Sequence, residues 1–246
     1  MSNYNPPRSR NIFKNGNGFS FSRSKIDSFL KCPKCFYIDR KKGIDVPPGF
    51  PFNINSAVDT LLKREFDLYR EAQTVPQILK DRGYNYIPFK HDQMDIWREN
   101  FKGLKVSYKG YKFSGAVDDI WINGNDELIV VDYKSTAASE PVISIDKEYH
   151  IGYKRQIEFY QWLLIKMGFT VSKMAYFVYC TGDNTLPQFN GVMKFNINLI
   201  DYQGDISWVE NTLDKLIKCI ESDTVPQSGE ECDYCKYFNA RLNLNI

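Results

Sequence analysis

Two carboxylates and a lysine dominate the chemistry open to this sequence. Gly115-Ala-Val-Asp118 is followed, beyond a turn-forming Asn123-Gly-Asn-Asp126, by Val130-Val-Asp132-Tyr-Lys134. Alternate residues of a strand share a face, so Asp132 and Lys134 point one way and Tyr133 the other. Antiparallel pairing of Gly115–Asn123 with Glu127–Asp132 sets opposite one another residues whose numbers sum to about 249 or 250, which brings Asp118 against Val131 or Asp132. Neighbouring carboxylates repel, and a divalent cation relieves that repulsion. Oxygen ligands with few other donors suit Mg²⁺ or Mn²⁺ better than zinc. Asp119, beside Asp118 but on the other strand face, is expected to be structural.

Sulfur forms the second constellation. Cys32/Cys35 and Cys232/Cys235 are two C-x-x-C pairs separated by 196 residues. A shared metal would draw an N-terminal helix and the C-terminal tail together, and four thiolates suit either structural Zn²⁺ or an iron–sulfur cluster; spacing does not choose. No run reaches transmembrane length, and Met1 to Asn17 is polar without the apolar core of a signal peptide, so a cytoplasmic protein is expected. In that reducing compartment disulfides are not expected. Cys180 and Cys219 read as buried fillers. His91 and His150 lack ligand-like spacing and read as packing or surface residues.

These groups need elements to position them. A chain of 246 residues, 43% apolar and 15% aromatic, can bury a full core, which excludes a disordered tail or a small disulfide-stapled scaffold. The net charge of +2 conceals an asymmetry: residues 1–50 carry ten basic and three acidic side chains, and residues 200–246 four and nine. The pattern predicts a loose segment over 1–18 and a single domain over 19–246. Helices are predicted near Phe21–Leu30 (Ser22 as N-cap), Asn53–Arg70, Ile78–Arg82, Asp92–Asn100, Tyr153–Met167 and Ile206–Ile220. The Asn53–Arg70 helix is expected to bury Ile54, Val58, Leu61, Leu62, Phe66 and Tyr69. Strands are predicted at Lys105–Tyr108, Tyr111–Asn123, Glu127–Asp132, Met174–Cys180 and Gly191–Ile197. Strands flanked by helices imply an α/β fold with one central mixed β-sheet covered by helices. No P-loop is present.

The carboxylate motif resembles the PD-(D/E)xK nuclease superfamily, most closely its RecB-like branch, with the nuclease domains of RecB and AddB and the CRISPR-associated RecB-like exonucleases as its nearest likenesses. Val131-Asp-Tyr-Lys-Ser135 is similar to that branch's third motif. Phe19 to Tyr37, with Cys32-Pro33 and Phe36-Tyr37, is similar to its opening helix, and Gln156-x-x-x-Tyr160 to its Q-x-x-x-Y helix. The resemblance implies a restriction-endonuclease-like core with the termini clasped by the four cysteines. It implies that Asp118, Asp132 and the Tyr133 carbonyl hold the catalytic Mg²⁺ or Mn²⁺, that Lys134 orients or deprotonates the attacking water, and that Gln156 and Tyr160 contact substrate. Where the branch usually carries a metal-binding His in a G-x-x-x-H setting, this chain has Asn55-Ser-Ala-Val-Asp59. Asp59 and Glu65 lie about 60° to either side of Leu62 on a helical wheel; alignment favours Asp59 as the ligand.

Some members hold a 4Fe–4S cluster with one N-terminal and three C-terminal cysteines, so the resemblance favours a cluster, with structural Zn²⁺ as the alternative; here the cysteines divide two and two. The implied activity is metal-dependent hydrolysis of DNA phosphodiesters, exonuclease-like on single strands or duplex ends, with a helicase or a repair or defence complex as partner. Arg8, Arg10, Arg23, Lys25, Lys31 and Lys34, with Phe19 and Phe21, are expected to track a backbone and stack bases. The rival is a non-catalytic nucleic-acid-binding or assembly subunit that kept the fold.

Overall fold

The structure, a computed structural model, describes residues 12–14, 18–47, 49 and 53–244. Most of the segment 1–18 lies outside these, as do Arg8, Arg10, Pro48 and Pro51. In chain order the elements are β1 (Ser20–Ser22), α1 (Arg23–Lys31), α2 (Pro33–Lys42), α3 (Asn53–Ala72), α4 (Gln77–Lys80), β2 (Ile87–Pro88), α5 (Met94–Trp97), β3 (Leu104–Tyr108), β4 (Tyr111–Gly115), β5 (Asp119–Ile122) and β6 (Leu128–Ala138). A short 3₁₀ turn at Glu148–His150 then leads to α6 (Ile151–Lys166), β7 (Met174–Asp183), β8 (Phe195–Gln203), α7 (Val209–Glu221) and α8 (Asp233–Asn243). Among the described residues no helix is long and apolar enough to cross a membrane. The chain divides into two compact units, one of residues 1–50, 107–114 and 207–246, the other of 51–106 and 115–206.

The second unit is built on a five-stranded sheet of order β2-β5-β6-β7-β8, in which β6 and β7 run parallel and the other neighbours antiparallel. This is the expected mixed sheet. Its central strand β6 opens with the apolar run Leu128–Val131, wholly buried as a strand covered on both faces must be. On one face Val131 and Tyr133 join Leu62 and Phe66 of α3, with Trp121, Tyr176, Val178 and Cys180. The residues between them, Val130, Asp132 and Lys134, take the opposite face, where Tyr153 of α6 meets Phe177.

Three expectations for this unit are corrected. The single strand Tyr111–Asn123 is broken at residues 116–118, where buried Val117 donates its N–H to the Trp97 carbonyl at 3.1 Å and the chain leaves one sheet for another. The last strand lies at Phe195–Gln203 rather than Gly191–Ile197, because Gly191 sits in the left-handed region (φ 73°) and the alternating Phe-Asn-Ile-Asn-Leu continues beyond it. On α3, Leu62 and Phe66 are buried, but Ile54 and Leu61 are exposed. Adjacent Leu61 and Leu62 differ by about 100° around the helix, so only one can face the sheet. The inward position one turn beyond Phe66 is taken by Arg70, which pairs with buried Asp119.

A second sheet, of order β1-β4-β3, was not anticipated; β1 and most of β4 belong to the first unit. β1 runs parallel to β4 with Phe21 beside Phe113, and Phe21 is enclosed by the rings of Phe36, Tyr111 and Phe113. Phe21 is therefore core and has no face left to stack a base. Lys25, also expected to meet a backbone, is paired with Asp39 at 2.7 Å and Asp45 at 3.2 Å. The helix expected near Phe21–Leu30 is followed at once by a second, α2, which starts at Pro33, since proline at the first helical position removes only an N–H that has no partner there. α2 closes on Gly43 in the left-handed region.

Candidate active site and four-cysteine site

Asp118 and Asp132 arrive together by register. Asp119 pairs with Val131, so Asp118, just before β5, falls level with Asp132. Asp118 Oδ2 accepts the Tyr133 N–H at 2.9 Å, which anchors the loop carboxylate to the strand that carries the other one. Asp132 is fully buried and in contact with the Lys134 ammonium; its Oδ1 meets no hydrogen-bond donor. Burial, with the charge of Asp118 added and that of Lys134 opposing, pushes its carboxyl up to about 7. Lys134 in turn lies over the Tyr153 ring, 4.7 Å from its centroid.

α3 delivers the third carboxylate. Asn55 donates to the Ser135 carbonyl at 3.0 Å, fixing the start of the helix beside the end of the motif. One turn later Asp59 is raised above its ordinary value by burial and by the charge of Asp118, against the opposing pull of Lys63 and Lys134. Lys63, which sequence reasoning passed over, bridges the two: its Nζ lies 2.9 Å from Asp59 and 3.6 Å from Asp118. Its spacing of four from Asp59 was the available signal. Glu65 is exposed, and its charge acts on Cys180.

Asp119 shows what a structural carboxylate looks like in the same place. It is completely buried, contacts Arg70, accepts the Tyr133 hydroxyl at 2.8 Å and the Ile120 N–H at 2.8 Å. Both of its oxygens have donors, whereas Asp132 Oδ1 has none. Asp118 and Asp132 offer only oxygen, and the orphaned buried Oδ1 of Asp132 is a position that a hard divalent cation would satisfy, while Asp59, Asp118 and Asp132 are not among the groups of three or more possible ligands gathered within 4.8 Å in the described residues.

On α6, Gln156 donates to the Tyr160 hydroxyl at 3.2 Å. Tyr160 is buried and Gln156 only half-buried, so Gln156 is the member of the pair open to a ligand. Gln156 stands one turn from Tyr153, the residue against Lys134. His150 is buried and lowered by that burial, and His91 stacks on Trp97 at 4.3 Å; both are packing residues, as expected.

In the first unit, Cys32, Cys35, Cys232 and Cys235 place their sulfurs within 4.8 Å of one another. Cys35–Cys232 and Cys35–Cys235 lie at 3.6 Å and Cys32–Cys235 at 3.8 Å. Cys32 is the N-cap of α2 and Cys232 the N-cap of α8, so each C-x-x-C occupies the opening turn of a helix. Neither helix was anticipated: Cys32-Pro33 read as a helix end, and the segment around Cys232 and Cys235 read only as a C-terminal tail. Burial works to raise the Cys32 thiol, but N–H groups of Cys35 and Gly229 directed at its sulfur, at 3.4 and 3.3 Å, help bring it down to about 7. A Cβ on Gly229 would overlap the Lys31 carbonyl, so only glycine lets that loop approach.

Among known proteins, a solved structure described as "Crystal structure of SSO0001" is similar at 16% identity and a TM-score of 0.39, over 92% of this chain and 86% of that one. No curated protein matches. The family model of the PD-(D/E)XK nuclease superfamily matches residues 53–240, a span that includes the carboxylate motif, Lys134 and the Gln156–Tyr160 pair, and the chain belongs to that superfamily.

Proposed function

We propose that the chain is a divalent-metal-dependent deoxyribonuclease of the RecB-like kind, hydrolysing phosphodiester bonds exonuclease-like on single strands or duplex ends, with residues 19–246 acting as one nuclease domain in the cytoplasm. The carrying observation is the buried Asp132 carboxylate, level with Asp118, in contact with Lys134 and with one oxygen lacking any donor. Asp119, its neighbour in the same strand pair, by contrast has a donor on each oxygen.

Asp59, Asp118, Asp132 and the Tyr133 carbonyl would hold Mg²⁺ or Mn²⁺, which when bound supplies Lewis acidity and neutralises charge at the scissile phosphate. Tyr133 fixes Asp118 through its N–H and Asp119 through its hydroxyl, so one residue sets both carboxylates. Lys134, held between Asp132 and the Tyr153 ring, donates from its ammonium to orient the attacking water. Gln156, steadied by Tyr160, contacts the substrate backbone. DNA is the substrate, and a helicase or a repair or defence complex is the fitting partner; Arg23, Lys31 and Lys34 remain candidate backbone contacts.

The test is cleavage of labelled single-stranded and duplex DNA and RNA by purified protein with Mg²⁺, Mn²⁺ or EDTA. DNA-selective, EDTA-sensitive shortening from ends supports the reading. Lys134→Ala should lose cleavage and retain metal binding. DNA binding without cleavage by the wild type would favour the assembly-subunit alternative.

A further inference from the structure

The four sulfurs stand too close together for the cluster that the family resemblance favours. In a tetrahedral thiolate site with Zn–S near 2.3 Å, neighbouring sulfurs lie about 3.8 Å apart by simple geometry. The observed 3.6, 3.6 and 3.8 Å match that edge. In a 4Fe–4S cubane each thiolate stands outside its own iron, and the sulfurs are spread to roughly 6 Å. The whole quartet here fits within 4.8 Å.

We propose that Cys32, Cys35, Cys232 and Cys235 hold one Zn²⁺, in place of an iron–sulfur cluster, and that this ion is what secures α8. The inference rests on reading the quartet as a metal site and decides which metal. Two helix N-termini direct their positive ends at the sulfurs, α2 through Cys32 and α8 through Cys232, and thiolates are stabilised by that field. Two backbone N–H groups on Cys32 Sγ add to it. Thiolate softness suits zinc and iron–sulfur clusters alike, so the sulfur spacing decides between those two, while the general order of divalent affinities favours Zn²⁺ over a single Fe²⁺. The role of the ion follows from α8 itself, which has no buried residue along its length. Tyr234, Tyr237, Phe238 and Leu242 are all exposed, so apolar packing does not hold this helix.

The test is metal and acid-labile sulfide analysis of the purified full chain, with hydrogen exchange of α8 before and after chelation. Colourless protein with one zinc per chain and no labile sulfide is expected, and Co²⁺ exchange should give a tetrahedral thiolate spectrum. Chelation should speed exchange in α8 about tenfold or more while leaving β6 and β7 protected. Cys235→Ser should lose zinc, whereas Cys180→Ser and Cys219→Ser should keep it; if Cys235→Ser does not fold, chelation of the wild type carries the test. Brown protein with iron and stoichiometric sulfide overturns zinc but preserves the metal site, as does iron alone. Four freely titratable thiols with no metal overturn the metal site itself. Unchanged exchange in α8 after zinc removal overturns the securing role.

Discussion

The cysteine site of the first unit and the carboxylate site of the second collect negative charge by different means. Around the sulfurs the compensation comes from backbone: two helix N-termini and the N–H groups of Cys35 and Gly229. Around the carboxylates it comes from side chains, with Lys63 on Asp59 and Asp118, and Lys134 on Asp132. Backbone dipoles cannot be moved without unfolding the element that carries them, whereas a lysine swings aside at small cost. An ion in the first site is therefore part of the fold, and an ion in the second can come and go with catalysis.

Activity gives the largest separation between the two sites. Asp118→Asn or Asp132→Asn should reduce divalent-dependent cleavage by about a hundredfold or more while the circular dichroism spectrum and melting cooperativity stay unchanged. Wild-type turnover in either variant would sink the assignment. The same substitutions should leave metal bound at the cysteines untouched, as elemental analysis of the variants will show.

Stability against pH separates them next. Burial raises the Asp132 carboxyl to about 7, so between the ordinary carboxylate range and that value the folded chain retains a proton that the unfolded chain has released. Stability of the cation-free second site therefore falls as pH rises through this window and levels off above it. Thermal melts in a chelator too weak for thiolate-bound zinc, from about pH 4 to about pH 8, should show that decline. Asp132→Asn should flatten it. A wild-type profile flat over this window would mean that Lys134 holds Asp132 ionised throughout.

The two sites also differed in how much of them could be read from sequence. The hairpin carrying Asp118, Asp132 and Lys134 is local, and period-two alternation with a recognisable turn gave its register, now seen in the pairing of Asp119 with Val131. The gathering of the cysteines could be proposed, but not the helices that present them, because Pro33 reads equally as a stop and as a first turn. The break at residues 116–118 was hidden for a similar reason: it depends on the Val117 N–H finding the Trp97 carbonyl, a partner distant in sequence. Nor does periodicity show that Arg70 would occupy an inward position on α3, since that requires knowing where Asp119 ends up.

A smaller effect concerns which α3 carboxylate belongs to the site. Asp59 feels the charges of Asp118 and Lys134, while exposed Glu65 acts on Cys180. Asp59→Ala should weaken Mg²⁺ or Mn²⁺ binding about tenfold, and Glu65→Ala should leave it nearly unchanged, by calorimetric titration. The reverse order would move the ligand about one and two-thirds turns along the helix.

The smallest effect probes the lysine that most clearly distinguishes the carboxylate site from the cysteine site. Lys63 is partly exposed and its Nζ lies 2.9 Å from Asp59 and 3.6 Å from Asp118, so it competes for the charge that a divalent cation would use. An ion pair so placed contributes little on its own, about 1 kcal/mol at most, because water screens it. Lys63→Met removes the competitor and keeps the aliphatic stem, so Mg²⁺ affinity should rise about two- to fivefold, with melting temperature slightly lowered in chelator and restored by the cation. Weaker cation binding in Lys63→Met would reverse the argument: the lysine would then be holding Asp59 and Asp118 in place, and this site would be prearranged by its counter-ion as firmly as the cysteines are by their helices.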